Sequence, residues 1–198
     1  MTILQINSSL FGPGGQSRKL ADELVSRLGG KVIVRDLATN PVPHLDAARF
    51  GAFLAKPEAR TPEQQAFVEY SDELIGELKA ADTIVIGVPM YNFGIPSTLK
   101  AYFDHVARAG VTFKYTEKGA VGLLTGKKAY LVVTRGGVYG DAHAHTTYVR
   151  DFLAFLGITD VERVYAEGLA ISPQAKENGL AKARQTIERL NEGELALI

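Results

Sequence analysis

The chain has 198 residues, and its 22 Lys plus Arg balance its 22 Asp plus Glu, so the formal charge is zero. It has four His, no Cys and no Trp. That length suits one domain burying about 70% of the surface its unfolded chain exposes. The charge balance argues against a generic nucleic-acid or membrane-surface binder, because neither a basic face nor an acidic tail dominates. Without Cys there are no disulfides, zinc–thiolate sites, thiol nucleophiles or thiol redox couples. If this chain moves electrons, something other than its own sulfur carries them.

Met1-Thr2-Ile3-Leu4-Gln5-Ile6-Asn7 has no basic leader and too short an apolar run for a signal, and the longest apolar stretches are strand-sized. A soluble, cytoplasmic protein without a membrane span is expected. Residues 3–6 read as the first strand. Gln16–Leu28 follows as a helix, with Leu20, Leu24, Val25 and Leu28 at spacings of three or four and Gly29-Gly30 as its stop. Residues 31–35 are a second β-branched run. The segment 38–60 is the least regular and is read as a loop with a short helix near residues 47–55. Thr61 reads as an N-cap, with Pro62 in the first helical position and Phe67, Tyr70, Leu74, Ile75 and Leu78 on the inward face.

Residues 83–88 form the third strand. Pro96 opens a helix over 97–108, with Leu99, Phe103 and Val106 turned inward. The segment 111–122 reads as a hairpin excursion. Residues 129–134 and 161–165 are the fourth and fifth strands, and helices are predicted at 147–156 and 175–190. Runs three and four are apolar on both faces, as central parallel strands covered by helices must be. Strand alternating with helix over 1–198 predicts a single α/β domain, a three-layer sandwich around a parallel sheet.

Ligands of open α/β sheets bind outside the carboxyl ends of the strands, so three loops matter. After the first strand, residues 8–21 contain no acid, are rich in Ser and Gly, and run into a helix N-terminus. Free backbone N–H groups there favour an anion such as a terminal phosphate. Neither a Walker loop nor Gly-x-Gly-x-x-Gly is present. The alternative is a flexible turn with Ser17 as a simple N-cap. After the third strand, Met90-Tyr91-Asn92-Phe93-Gly94 places flat apolar side chains where a polar connection is usual. Asn92 has the donor and acceptor that a heterocycle edge requires. The alternative is a tight turn whose aromatics pack into the core. After the fourth strand, Thr134-Arg135-Gly136-Gly137 lets backbone approach a ring, or is a plain turn. Three such loops at one edge describe a phosphorylated tail plus a flat ring. That combination is flavin mononucleotide (FMN) on a flavodoxin-like five-stranded parallel sheet of order 2-1-3-4-5.

Other residues yield weaker signals. His143 and His145, two residues apart, point to different faces of a helix, and no acid-rich motif accompanies them, so no metal is expected. His44 reads as a loop residue and His105 as a helix-surface residue. Arg18, Lys19, Lys127 and Lys128 read as solvated loop charges. A response regulator would need carboxylates where Asn7-Ser8 and Val88-Pro89 stand. A nicotinamide dehydrogenase is a closer rival, because Asp36 ends the second strand where a ribose-binding acid belongs, but its glycine fingerprint is missing.

The segments Asn7-Ser8-Ser9, Met90 to Pro96, Gly110 to Thr116, Thr134 to Gly137 and Phe155-Leu156-Gly157-Ile158 resemble the FMN-dependent NADH-azoreductases, also called FMN-dependent NADH:quinone oxidoreductases. The resemblance runs from about Thr2 to Ala170. It implies a flavoprotein homodimer with one FMN per subunit, NADH as electron donor, and quinones or azo compounds as substrates. Ser9 with Gly15, Gln16 and Ser17 would hold the phosphate and ribityl chain. Met90, Tyr91, Asn92 and Phe93 would meet the ring, and Thr134, Arg135, Gly136 and Gly137 would line its other end. Tyr115 and Phe155 match aromatics that stack over the flavin, partly from the partner subunit. Where the family often has Ser-x-Ser, this chain has Gly15-Gln16-Ser17, one hydroxyl fewer; Thr134 keeps the hydroxyl of a frequent Ser. The expected mechanism is a ping-pong exchange on one ring face, the proton coming from solvent or Tyr115. The alternative is a non-catalytic flavodoxin-like electron carrier or regulatory module that binds FMN without turning over NADH.

Overall fold

The computed structural model describes residues 1–195. In chain order the elements are β1 (Thr2–Asn7), α1 (Gln16–Leu28), β2 (Lys31–Asp36), α2 (Ala47–Leu54), α3 (Pro62–Ala80), β3 (Thr83–Pro89) and α4 (Ser97–Val106). They continue with β4 (Phe113–Thr116), β5 (Gly119–Gly122), β6 (Lys128–Thr134), α5 (Ala144–Leu156), β7 (Asp160–Ala166) and α6 (Pro173–Leu195). Five strands make a parallel sheet of order β2-β1-β3-β6-β7, and β4 pairs antiparallel with β5 as a separate hairpin. Setting the hairpin aside, this is the expected 2-1-3-4-5 order. Each predicted strand lies within one residue of its observed ends.

Side-chain alternation along the strands divides the core between two faces. Leu4, Ile6, Ile84, Ile86, Leu131 and Val133 face α3, α4 and α5, packing with Leu74, Leu99, Phe103 and Leu153. Ile3, Val85, Tyr130 and Val132 face α1 and α6, packing with Leu20, Leu24, Ala183 and Ile187.

Helix boundaries follow local chemistry. Thr61 and Gln64 form a reciprocal capping box at the start of α3. On that helix Val68 is buried, whereas Phe67 and Tyr70 are only half-buried. Phe67 carries the Arg49 guanidinium over its ring, and Tyr70 meets the His105 ring edge-on. α4 stops at Val106, two residues early. Thr112 Oγ1 accepts from Arg108 N–H at 3.0 Å and donates to the Val106 carbonyl at 2.6 Å, turning the chain out of the helix. α5 starts three residues early because His143 caps it, with Nδ1 accepting from His145 N–H. α6 also starts early. Ser172 Oγ accepts from Ala175 N–H at 3.0 Å, and Pro173 takes the first helical position. No helix among the described residues is long and apolar enough to cross a membrane.

Leu131 is fully buried at the centre of β6. Leu131→Ala leaves a cavity that the flanking strands cannot close, and a loss of about 3 kcal/mol is expected from denaturant unfolding.

Candidate active site

Beyond β1, Ser8 donates to the Gly87 carbonyl at 2.7 Å and serves the sheet. Ser9 Oγ accepts from Phe11 N–H at 3.3 Å and lies 3.4 Å from the Tyr91 hydroxyl. The chain then turns through Gly12, at φ +52°, into α1. Gly15, not Ser17, occupies the N-cap, and no side chain caps the helix. The first helical bond runs from Lys19 N–H to the Gly15 carbonyl, so the amides of residues 16–18 have no partner within the helix. Ser17 is buried and its hydroxyl has no protein partner. A Cβ on Gly15 would sit 2.0 Å from Ser9 Oγ, so the loop closes only without a side chain there. Uncapped amides, a positive dipole end and an orphaned hydroxyl together suit an anion.

Arg18 beside this loop, and Lys127 and Lys128 at the opposite edge of the sheet, have partners of their own. Arg18 is no solvated loop charge, since it pairs with Asp22 at 3.0 Å and Asp36 at 2.9 Å. Asp36 is thereby engaged, and it also accepts from Ala38 N–H, which counts against a ribose-binding role. Lys127 donates to the carbonyls of Lys79 and Ala81, and the Lys128 ammonium sits 5.2 Å from the Tyr130 ring centre. Lys19 is exposed, as expected.

After β3, Tyr91 and Gly94 exchange two backbone bonds of 3.0 Å around Asn92 at φ +49° and Phe93 at φ +66°. Two central residues in the left-handed region make this a type I′ turn, and a bulky residue there costs about 1 kcal/mol. The strain projects the Phe93 ring outward, 68% exposed, rather than into the core. Leu10 N–H donates to the Tyr91 hydroxyl at 3.2 Å, which ties the turn to the first loop.

After β6, the Arg135 side chain is buried among partners at the same edge. Nη1 donates to the Gly140 carbonyl at 2.6 Å and to Glu167 Oε1 at 2.9 Å, and Nη2 donates to the Thr146 hydroxyl. Glu167 Oε1 also accepts from Tyr139 N–H at 2.8 Å and Gly140 N–H at 3.1 Å. Burial alone would raise the Glu167 carboxyl, but the Tyr139 amide, Arg135 and the Gly140 amide hold it below the usual range. The glycine pair also differs from expectation. A Cβ on Gly137 would lie 2.9 Å from the Tyr139 ring, and one on Gly136 would lie 3.1 Å from Ala170 Cβ. Both glycines make room for the chain's own side chains.

The three loops enclose a cavity of about 160 Å³. Ser9, Gln16 and Ser17 line one end, Met90 and Tyr91 a side, and Thr134, Arg135 and Gly136 the other end. Phe11 and Leu169 also line it and carry no advance signal in the sequence. Gly15, Asn92, Phe93 and Gly137 belong to the same loops without lining this cavity. The turn also borders a larger hollow of about 450 Å³, which includes Phe93, Ile95, Lys100, His145 and Tyr148. Tyr115 and Phe155 line neither. They bracket Phe113 at the hairpin, with ring centres 5.4 and 4.4 Å away, and Tyr115 is 75% exposed.

The histidines are structural. His105 is buried, not on the helix surface, lying between Phe53 and Tyr70, with Nδ1 donating to the Ala101 carbonyl at 3.0 Å. His145 is buried, and its Nε2 donates to the Pro89 carbonyl at 3.3 Å. Burial, and then the Arg135 charge, push the His145 pKa down to about 4; burial also lowers that of His105. Among the described residues no group of three ligands could hold a metal.

A family model described as flavodoxin-like fold matches residues 1–190. The FMN-dependent NADH:quinone oxidoreductase of Cellvibrio japonicus (strain Ueda107) is 55% identical over 195 residues, covering 95% of this chain and 97% of its own. FMN-dependent NADH:quinone oxidoreductase 6 of Burkholderia lata is 53% identical over 193 residues, covering 94% and 98%. Among solved structures, an azoreductase from Bacillus anthracis str. Sterne superposes with a TM-score of 0.87 at 27% identity, over 97% of this chain and 99% of that one. An FMN-dependent NADH-azoreductase from Bacillus anthracis str. Ames Ancestor, in complex with FMN, gives 0.82 at 28% identity, over 96% and 100%.

Two expectations follow from the geometry. Phe93→Gly relieves the left-handed strain and raises stability by about 1 kcal/mol in chemical denaturation, because little of the ring is buried. His145 and His105 are held neutral by burial, whereas in the unfolded chain they protonate near pH 6.5. Stability is therefore full above about pH 6.5 and declines as pH falls toward about 4, and His145→Gln flattens that decline in a pH series of melting curves.

Proposed function

The chain belongs to the family of FMN-dependent NADH:quinone oxidoreductases with a flavodoxin-like fold, and on that premise we propose that it takes electrons from NAD(P)H and reduces quinones and aromatic azo compounds on a bound FMN. The observation that carries the reading is the anion cradle at α1, which begins with uncapped amides and a buried Ser17 hydroxyl that has no protein partner. A terminal phosphate supplies the acceptors these donors lack.

Ser9, Gly15, Gln16 and Ser17 hold the phosphate and the chain leading from it. Met90 and Tyr91 flank one side of the ring, with Asn92 and Phe93 at its exposed margin. Thr134 to Gly137 bound the other end, the Arg135 guanidinium being committed to Gly140, Glu167 and Thr146. FMN, when bound, supplies hydride transfer between a nicotinamide and an acceptor. Asn92 offers a donor and an acceptor to the ring edge, and α4 begins without a side-chain cap, so its amides favour negative charge nearby. Phe93 presents an apolar face for a flat substrate to stack on.

Within one chain Tyr115 and Phe155 lie away from the cavity, so their stacking role requires a second copy. We read the protein as a homodimer in which the exposed hairpin of one protomer covers the site of its partner. Donor and acceptor share one open face and bind in turn, which gives ping-pong kinetics, and the proton reaches the acceptor from Tyr115 or solvent.

The purified protein is expected to show flavin absorbance, or to acquire it on adding FMN. NADH should bleach that absorbance anaerobically and benzoquinone should restore it. A protein that takes up no FMN overturns the proposal, and one that binds FMN but is not bleached is an electron carrier or regulatory module. Initial-rate plots against NADH at several quinone concentrations should be parallel, and converging lines exclude the shared face.

A further inference from the structure

We propose that Glu167 is a positioning residue: with Arg135 it clamps residues 139–141 and so sets the width of the slot between that loop and the Tyr91–Gly94 turn. The inference rests on the reading that this slot receives FMN.

Glu167 directly follows β7 and does not line the cavity. One of its oxygens nevertheless gathers three donors, Arg135 Nη1 and the amides of Tyr139 and Gly140. Arg135 returns a bond to the Gly140 carbonyl and reaches the Thr146 hydroxyl on α5. Its guanidinium carbon lies 5.2 Å from the Tyr165 ring centre, and the Tyr165 hydroxyl donates to Asp141. Residues 139, 140 and 141 are thus each fixed from the side away from the slot.

Residues 136 and 137 are already anchored, their carbonyls accepting from the Ala170 and Gly168 amides at 3.0 and 2.9 Å, and Asp141 also pairs with Arg163, so the clamp acts on the stretch beyond Gly137. Residues 138–142 are exposed, and Val138 is 69% exposed. With so little apolar burial, such a segment opens locally unless polar contacts restrain it. What the clamp holds in place is the far wall of the slot. Tyr139 meets the Phe93 ring edge-on at 6.1 Å and the His143 ring at 5.0 Å, and Gly136 lines the cavity. Loosening the clamp lets Tyr139 drift relative to Phe93, while Gly136 stays tied to Ala170, and a rigid planar ligand loses its preorganised fit.

Glu167→Gln tests this, because the amide keeps the shape and one acceptor oxygen but removes the charge that holds Arg135. In full-length protein without FMN, hydrogen exchange at the Tyr139 and Gly140 amides should quicken by about tenfold or more. The FMN dissociation constant should rise about tenfold, and the KM for benzoquinone should rise severalfold while kcat stays within about twofold. Glu167→Asp restores the charge and should recover most of the FMN affinity. Ile187→Val, in the core beneath α6, lowers the melting temperature without touching the slot and should leave the FMN affinity unchanged. If Glu167→Gln fails to fold, Thr146→Val loosens the same clamp from the α5 side and should move exchange and affinity in the same direction. Unchanged exchange, or faster exchange with an unchanged FMN dissociation constant, overturns the proposal. If the wild-type protein binds no FMN, the functional reading fails by itself, and the exchange comparison still judges the clamp.

Discussion

β3 runs between β1 and β6 with all seven of its residues buried and a parallel neighbour on each side. Parallel pairing cannot be made by tight turns, so each strand is followed by a crossover, and the polar connections leave at the carboxyl edge. Apolar side chains on both faces of β3 and β6 reserve the faces for helices. Chemistry is thereby confined to that edge, and the loops after β1, β3 and β6 meet there because their strands are adjacent.

Each loop meets this constraint differently. The first leaves a helix end uncapped and a buried serine without a partner. The second holds two non-glycine residues in left-handed backbone, which exposes an aromatic ring that would otherwise pack inward. The third buries a guanidinium among the chain's own groups while Thr134, Arg135 and Gly136 line the cavity. A tolerated orphan hydroxyl and tolerated backbone strain are local departures from the most stable arrangement, and such departures concentrate at functional sites.

Much of this was legible in the chain. β-Branched runs marked all five sheet strands, and Gly29-Gly30 fixed the end of α1. The loops that enclose the cavity stood out because their residues are unusual for connections. Other features depend on long-range geometry. Glu167 carries no local signal, since its partners lie 27 to 32 residues earlier in the chain. Gly137 read as an approach for a ring, yet the space it frees is filled by Tyr139. His105 seemed a surface residue, although its spacing from buried Ala101 places both on one inward face of α4. Phe93 gives no hint of positive φ, because the backbone exchange between Tyr91 and Gly94 imposes it.

Arg18, on the first turn of α1, is held by Asp22 and Asp36, so its charge is neutralised beside the anion cradle. What that loop offers an anion is short-range dipoles, namely oriented amides and a buried hydroxyl, rather than a free guanidinium. Mobile ions screen distant charges over about 8 to 10 Å but act weakly on contacts made inside a closed loop. A phosphate held there would therefore be insulated from the ionic strength of the surroundings, and a chain of zero net charge would retain it without attracting anions at large.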